Sequence, residues 1–199
     1  MSTLDQSGAA FRAQAVVVGG SAGAVEVLGR LLPGLPSDSR VPVIVCVHLA
    51  PRRPSLLRQL FAARCRLPVR EPDDKQPVGP GIWFAPPDYH LLVESQRCFA
   101  LSIDQPVKFS RPSIDVLFES AAEAYGPGLL GVVLTGANDD GALGACAIRK
   151  LGGVLAVQDP QTAESSEMPK AAIRAASPQF VGSVEELASI LITASGGTP

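Results

Sequence analysis

The chain has 199 residues, 46% of them hydrophobic, with a formal net charge of −2 and an isoelectric point near 5.7. That length suffices for one sizeable core and is short for two independent domains, while the charge leaves no basic footprint for nucleic acid or an anionic membrane surface. No apolar run reaches membrane-spanning length, and the segment through Gln14 has neither the basic start nor the apolar middle of a signal peptide, so a cytoplasmic protein is expected.

Ala15-Val16-Val17-Val18 reads as a buried strand and runs directly into Gly19-Gly20-Ser21-Ala22-Gly23. An apolar-periodic helix over residues 23–32 follows and is stopped by Pro33-Gly34. A strand entering a helix through G-x-S-x-G lifts a serine out of a sheet as a nucleophile, and the helix N-terminus beside it offers N–H groups and positive dipole. The competing readings are a plain tight turn or a phosphate cradle. Against the cradle, Ser21 and Ala24 stand where its second and third glycines would fall, and no Gly-Lys-Ser/Thr follows.

Residues 41–47 are β-branched and nearly all apolar, as suits a strand buried on both faces of a parallel sheet, and His48 stands at their end. A helix over residues 55–63 and a short strand over 67–71 come next. Residues 78–103 change character: the runs Ile82-Trp83-Phe84, His90-Leu91-Leu92-Val93 and Cys98-Phe99-Ala100-Leu101 are separated by Pro, Asp, Ser and Gln, which predicts an inserted antiparallel ribbon. Ser113 reads as the N-cap of a helix reaching Tyr125, residues 129–134 return to strand, and 135–141 form a Gly, Asn and Asp loop before a helix to about Leu151. Gly152-Gly153 ends that helix. A strand over residues 154–157, a helix over 168–176 with Pro169 in its first turn, and a helix over 184–194 complete the pattern.

Strands alternating with helices predict an α/β fold of three layers, a doubly wound and mostly parallel sheet carrying the ribbon as an insertion. The domain is expected to span residues 15–194, between tails of 1–14 and 195–199. Cys46, Cys65, Cys98 and Cys146 lack a C-x-x-C pair and are expected as buried free thiols.

In such sheets, residues just past the carboxyl ends of the strands share one edge, where ligands bind. Ser21, His48 and either Asp139 or Asp140 occupy such positions. An imidazole can take the serine proton during attack, and a carboxylate on the other ring nitrogen fixes its tautomer. His90, the second of two histidines, is a weaker base candidate that could line the cleft. The adjacent aspartates also suit an ordinary helix-capping loop or Mg²⁺, but no third ligand cluster accompanies them, so neither metal nor organic cofactor is expected.

The chain resembles the catalytic domain of CheB-type protein-glutamate methylesterases. The pieces that carry the resemblance are Val17-Val18-Gly19-Gly20-Ser21-Ala22-Gly23, Val47-His48-Leu49, Ile82-Trp83-Phe84-Ala85-Pro86-Pro87-Asp88-Tyr89-His90, Ser110-Arg111-Pro112-Ser113-Ile114-Asp115-Val116-Leu117-Phe118, Gly131-Val132-Val133-Leu134-Thr135-Gly136, Asp140-Gly141-Ala142 and Met168-Pro169. The resemblance implies hydrolysis of glutamyl methyl esters on bacterial chemoreceptors in chemotaxis-type signalling, with receptor glutamine deamidation in some members. It implies Ser21 as nucleophile, His48 as base and Asp140, rather than Asp139, as the orienting acid. Gly20, Ala22, Ala137, His90 and Arg111 are the oxyanion and cleft candidates. Methylated cytoplasmic receptor helices are the implied substrate.

Three departures from the family pattern bear on the expectation. About fourteen residues precede the first strand where many members carry a receiver domain, so control in cis is not expected, and a separate receiver-domain protein is one candidate partner. Ala22 stands where Thr often follows the nucleophile, Ala137-Asn138 stands where Met-Gly is frequent, and Gly23-Ala24 replaces Gly-Gly. Competing readings are a serine esterase or amidase on another substrate, a non-catalytic signalling module on the same fold, and lastly a nucleotide-binding protein.

Overall fold

The computed structural model describes residues 11–48 and 55–198; Leu49 of the second motif, and residues 1–10 and 199 of the expected tails, lie outside that range. Seven strands form the main sheet: β1 (Ala15–Gly20), β2 (Pro42–Val47), β3 (Val69–Arg70), β4 (Gly81–Phe84), β7 (Leu129–Val133), β8 (Val154–Gln158) and β9 (Phe180–Gly182). Every pairing among them is parallel, in the order β3-β4-β2-β1-β7-β8-β9. A separate antiparallel ribbon pairs β5 (His90–Val93) with β6 (Phe99–Ser102). The strand order turns at β1, which lies between β2 and β7, and that is where a doubly wound sheet opens its ligand crevice.

Period-two alternation sends each central strand into two cores. Val16, Val18, Val43, Val45, Leu130 and Val132 face one side, where α1 (Ala24–Leu31) and α6 (Val184–Ala194) cover them. Val17, Ile44, Cys46, Val133, Leu155 and Val157 face the other, under α3 (Ile114–Tyr125), α4 (Ala142–Lys150) and α5 (Glu167–Ala176). Burial on both faces is why these strands read as unbroken apolar runs instead of alternating ones. The remaining helix, α2 (Leu57–Ala62), places Phe61 against Phe84 with ring centroids 5.2 Å apart.

One prediction is corrected. Ile82-Trp83-Phe84 was expected in the antiparallel ribbon, but β4 belongs to the parallel sheet, with Val43 registered to Ile82 and Val45 to Phe84. Both of its faces are used: Phe84 stacks on Phe61, while the Trp83 ring lies 5.0 Å from that of Phe99 on the ribbon. The strand's brevity and the prolines after it make the segment look like the hairpins that follow. The expected strand over residues 67–71 contracts to Val69–Arg70, and the three-residue edge strand β9 was not anticipated. The packed body also reaches ahead of Ala15: Phe11 and Ala13 are buried, and the Gln14 N–H donates to Gly128 O at 2.8 Å.

Candidate active site

Ser21, His48 and the loop from Thr135 to Asp140 follow β1, β2 and β7, three neighbours in the sheet. Gly20 is registered to Val47, so one residue further along each strand Ser21 stands beside His48. The backbone ties agree: His48 N–H donates to Gly20 O at 3.3 Å, and Ser21 N–H to Thr135 O at 2.9 Å. Gly23, at φ 78°, then turns the chain into α1.

Thr135 clamps this turn a second time. Its Oγ1 donates to Ala22 O at 2.9 Å and accepts from Ser165 N at 2.9 Å, while its own N–H donates to Gln158 Oε1. Sequence reading gave Thr135 no role of its own. The N–H groups of Ala22 and Gly23 donate to nothing among the described residues and sit at the start of α1, where a developing oxyanion would find them. Ala137 is exposed on the opposite loop, and Gly20 is a spacer, since a Cβ there would lie 2.6 Å from that of Ala24.

The aspartates, alike in composition, are separated sharply by burial. Asp140 is fully buried and its Oδ2 lies 2.7 Å from His48 Nε2. The same carboxylate accepts from Ile114 N at 2.8 Å, Asp115 N at 3.0 Å and Ser113 Oγ at 2.9 Å. It thus takes up free N–H groups at the start of the twelve-residue helix α3, where the helix dipole favours negative charge. Burial raises its pKa, but the His48 hydrogen bond and the Asp115 and Ile114 N–H groups outweigh burial and hold the carboxyl below its ordinary value. Asp139 instead points its exposed carboxylate outward to Lys108. Gly141, next in the chain, caps α4 at φ 95°, and a Cβ there would meet Ile114 Cγ2 at 2.8 Å, so glycine lets Asp140 lie directly against the start of α3.

With Nε2 given to Asp140, Nδ1 is the ring nitrogen left to His48 for a proton. Cys46, two residues earlier, is no rival nucleophile, because burial and then the Asp140 charge push its thiol well up. It is the one fully buried cysteine; Cys65, Cys98 and Cys146 are free thiols only partly covered, which departs from the expectation for all four.

His90 and Arg111 stand differently from the cleft positions expected of them. His90 is buried, accepts from Ser113 N at Nδ1 and meets Gln105 O through Nε2, so both nitrogens are engaged in holding the approach to α3. Arg111 Nη1 donates to the carbonyls of Ile103 and Asp104, bracing the same segment. Ser113 is an N-cap, as predicted, and also a donor to Asp140, a role the capping pattern alone does not reveal. Lys108, and Asp115, which the sequence offered only as part of a matching segment, complete the surroundings of Asp140.

A parallel α/β sheet that presents a serine turn, a histidine and a buried aspartate at the ends of three adjacent strands has the architecture of a serine hydrolase. The CheB methylesterase family model matches residues 16–191, and the chain belongs to that family of hydrolases. It is 42% identical over 180 residues, covering 90% of this chain and 93% of the relative, to a protein of Leptospira interrogans (serogroup Icterohaemorrhagiae serovar copenhageni, strain Fiocruz L1-130) that bears the provisional name protein-glutamate methylesterase/protein-glutamine glutaminase. It is 35% identical over 163 residues to the protein-glutamate methylesterase/protein-glutamine glutaminase of Trichodesmium erythraeum (strain IMS101), covering 80% of this chain and 46% of that one. The crystal structure of the Thermotoga maritima CheB methylesterase catalytic domain superposes with a TM-score of 0.86 at 30% identity, covering 90% of this chain and 97% of that chain.

Proposed function

We propose that this protein hydrolyses glutamyl γ-methyl esters on the cytoplasmic helices of chemoreceptors through Ser21, His48 and Asp140. The observation that carries the reading is the 2.7 Å bond between His48 Nε2 and a fully buried Asp140 carboxylate, one strand away from the serine turn. Asp140 holds the ring with its proton on Nε2, leaving the Nδ1 lone pair for the serine. As Ser21 Oγ attacks the ester carbonyl carbon, its proton passes to Nδ1 and the carbonyl oxygen becomes an oxyanion facing the Ala22 and Gly23 N–H groups. Collapse breaks the bond to the methoxy oxygen, which takes the proton from His48 and leaves as methanol. The glutamyl group is then esterified to Ser21. Water attacks that ester, His48 accepts its proton and returns it to Ser21 Oγ, and glutamate is released.

The same steps on a glutamine side chain expel ammonia, which suits the paired activities in the relatives' names. No helix among the described residues is long and apolar enough to cross a membrane, which suits an enzyme that meets receptors on their cytoplasmic side. The test is methanol release from methylated receptor helices by the purified protein. Release from methylated but not demethylated helices is expected. Hydrolysis of small esters without methanol release from receptor helices would leave a serine esterase acting on another substrate.

A further inference from the structure

Asp140 is not the only buried carboxylate behind His48. Asp115, 3% exposed, lies on the first turn of α3; its N–H donates to Asp140 Oδ1 and its own Oδ1 accepts from Gly144 N at 2.9 Å. Its Oδ2 has one partner among the described residues, the Lys108 ammonium at 3.0 Å, off the line of a well-formed hydrogen bond. The same ammonium donates to Asp139 O at 2.8 Å, the carbonyl of the peptide leading into Asp140, and lies 3.2 Å from Asp139 Oδ2. The contacts close a ring: Lys108 holds the Asp139 peptide, Asp140 accepts from Asp115 N, and the Asp115 carboxylate returns to Lys108.

The backbone that presents Lys108 is unusual. Val107 and Ser110 exchange backbone hydrogen bonds of 3.1 and 2.8 Å around Lys108 at φ 48° and Phe109 at φ 65°. Such a two-residue turn ordinarily selects Asn-Gly, because both central residues sit in the left-handed region. Here two full side chains accept that conformation, and the lysine folds inward, with its side chain 24% exposed. Burial works against its charge, yet the Asp115 and Asp139 carboxylates outweigh it and raise the ammonium's pKa. Asp115 is raised, chiefly by burial and further by Asp140, while the Gly144 N–H and Lys108 favour its ionised form.

We propose that Lys108 and Asp115 are positioning residues for Asp140: together they fix the loop that carries it and set the electrostatic balance felt by His48. This rests on the reading of Ser21, His48 and Asp140 as the triad. The other titratable groups turned toward the cluster are Asp139 from the same loop, Glu119 one turn along α3, Cys46 from β2 and His90 from β5, whose nitrogens are both occupied. Among the described residues, Lys108 is the only Lys or Arg paired with any of them. Removing it leaves the Asp115 and Asp139 carboxylates beside Asp140 without their paired cation, which favours a protonated His48. Removing the Asp115 charge does the reverse.

The rate at which a fluorophosphonate inactivates the enzyme, followed from pH 5 to 9, reads the availability of His48 as base without needing the natural substrate. Lys108→Met is expected to slow inactivation at its optimum about tenfold and to move the acid limb up by roughly half to one pH unit, while Asp115→Asn moves it down. Lys108→Arg keeps the charge and should keep the limb in place. If Asp115→Asn does not fold, the Lys108→Met and Lys108→Arg pair still decides the matter. A limb unmoved by Lys108→Met, or moved equally by Lys108→Arg, overturns the proposal while Asp140→Asn still shows the large loss due to the triad. Near-normal inactivation of Asp140→Asn overturns the triad and the proposal with it.

Discussion

Ser21→Ala is expected to abolish ester hydrolysis and leave the fold intact. The hydrogen bonds that hold the serine turn engage its backbone: Ser21 N–H donates to Thr135 O, Ala24 N–H to Ser21 O, and the Thr135 hydroxyl to Ala22 O. None uses Ser21 Oγ, so alanine keeps the turn, the start of α1 and the candidate oxyanion donors. Only the nucleophilic atom goes. On the scale of other serine hydrolases, turnover should fall by about 10⁵-fold or more, the residue of catalysis coming from oxyanion binding and substrate positioning. Methanol release against a methylated substrate reads the loss, and circular dichroism with a melting curve establishes that the variant is folded. A folded Ser21→Ala enzyme that retains its rate would remove the covalent mechanism.

Asp140→Asn and Asp139→Asn should differ by orders of magnitude. Asparagine at position 140 can still accept through one oxygen, but its amide cannot stabilise an imidazolium and, turned toward Nε2, it pushes the ring to the wrong tautomer. A drop of about 10⁴-fold in turnover is expected, the size seen when a triad aspartate becomes asparagine. The variant also places an amide among the Ile114 and Asp115 N–H groups and the Ser113 hydroxyl, which need an acceptor, so its melting temperature should fall. Asp139 carries a carboxylate 66% exposed whose charged contact is Lys108, and its carbonyl, which also holds Lys108, survives the substitution. Its loss should therefore lie within a few-fold. Equal losses at the two positions, with both variants folded, would mean that the loop supports catalysis in another way.

The parts of this fold that sequence made legible are those where one physical constraint dominates. β1, β2, β7 and β8 are buried on both faces, and nothing but continuous apolar runs satisfies that. The N-cap at Ser113 marked one helix start, and the helix expected over residues 184–194 begins in the fold at a capping box of Ser183 and Glu186. β4 misled because four residues beside Pro, Asp and Gly look the same in a hairpin as in a sheet; only Phe61 and Phe99, distant in sequence, decide between them. β9 is a three-residue edge strand, too short for its period to show.

The candidate site divides the same way. Ser21 and His48 announce themselves by standing at strand ends. Choosing Asp140 over Asp139 required the resemblance, since turn chemistry favours both, and in the fold burial and the start of α3 separate them. His90 looked available because histidine is scarce, but its contacts are made with Ser113 and Gln105, which no local pattern signals. Lys108 and Asp115 received no role from the sequence for a related reason. A lysine in an exposed turn and an aspartate in a first helical turn are ordinary residues until the fold brings both against Asp140.

Intact-protein and peptide mass spectrometry after treatment with a fluorophosphonate tests most directly whether Ser21 is an activated nucleophile. One adduct per chain is expected, on the peptide containing Ser21, forming quickly at neutral pH, slowly as the imidazole takes up a proton, and not at all in His48→Ala. An adduct on any other residue, or labelling of Ser21 that proceeds equally well without His48, would contradict the mechanism proposed here.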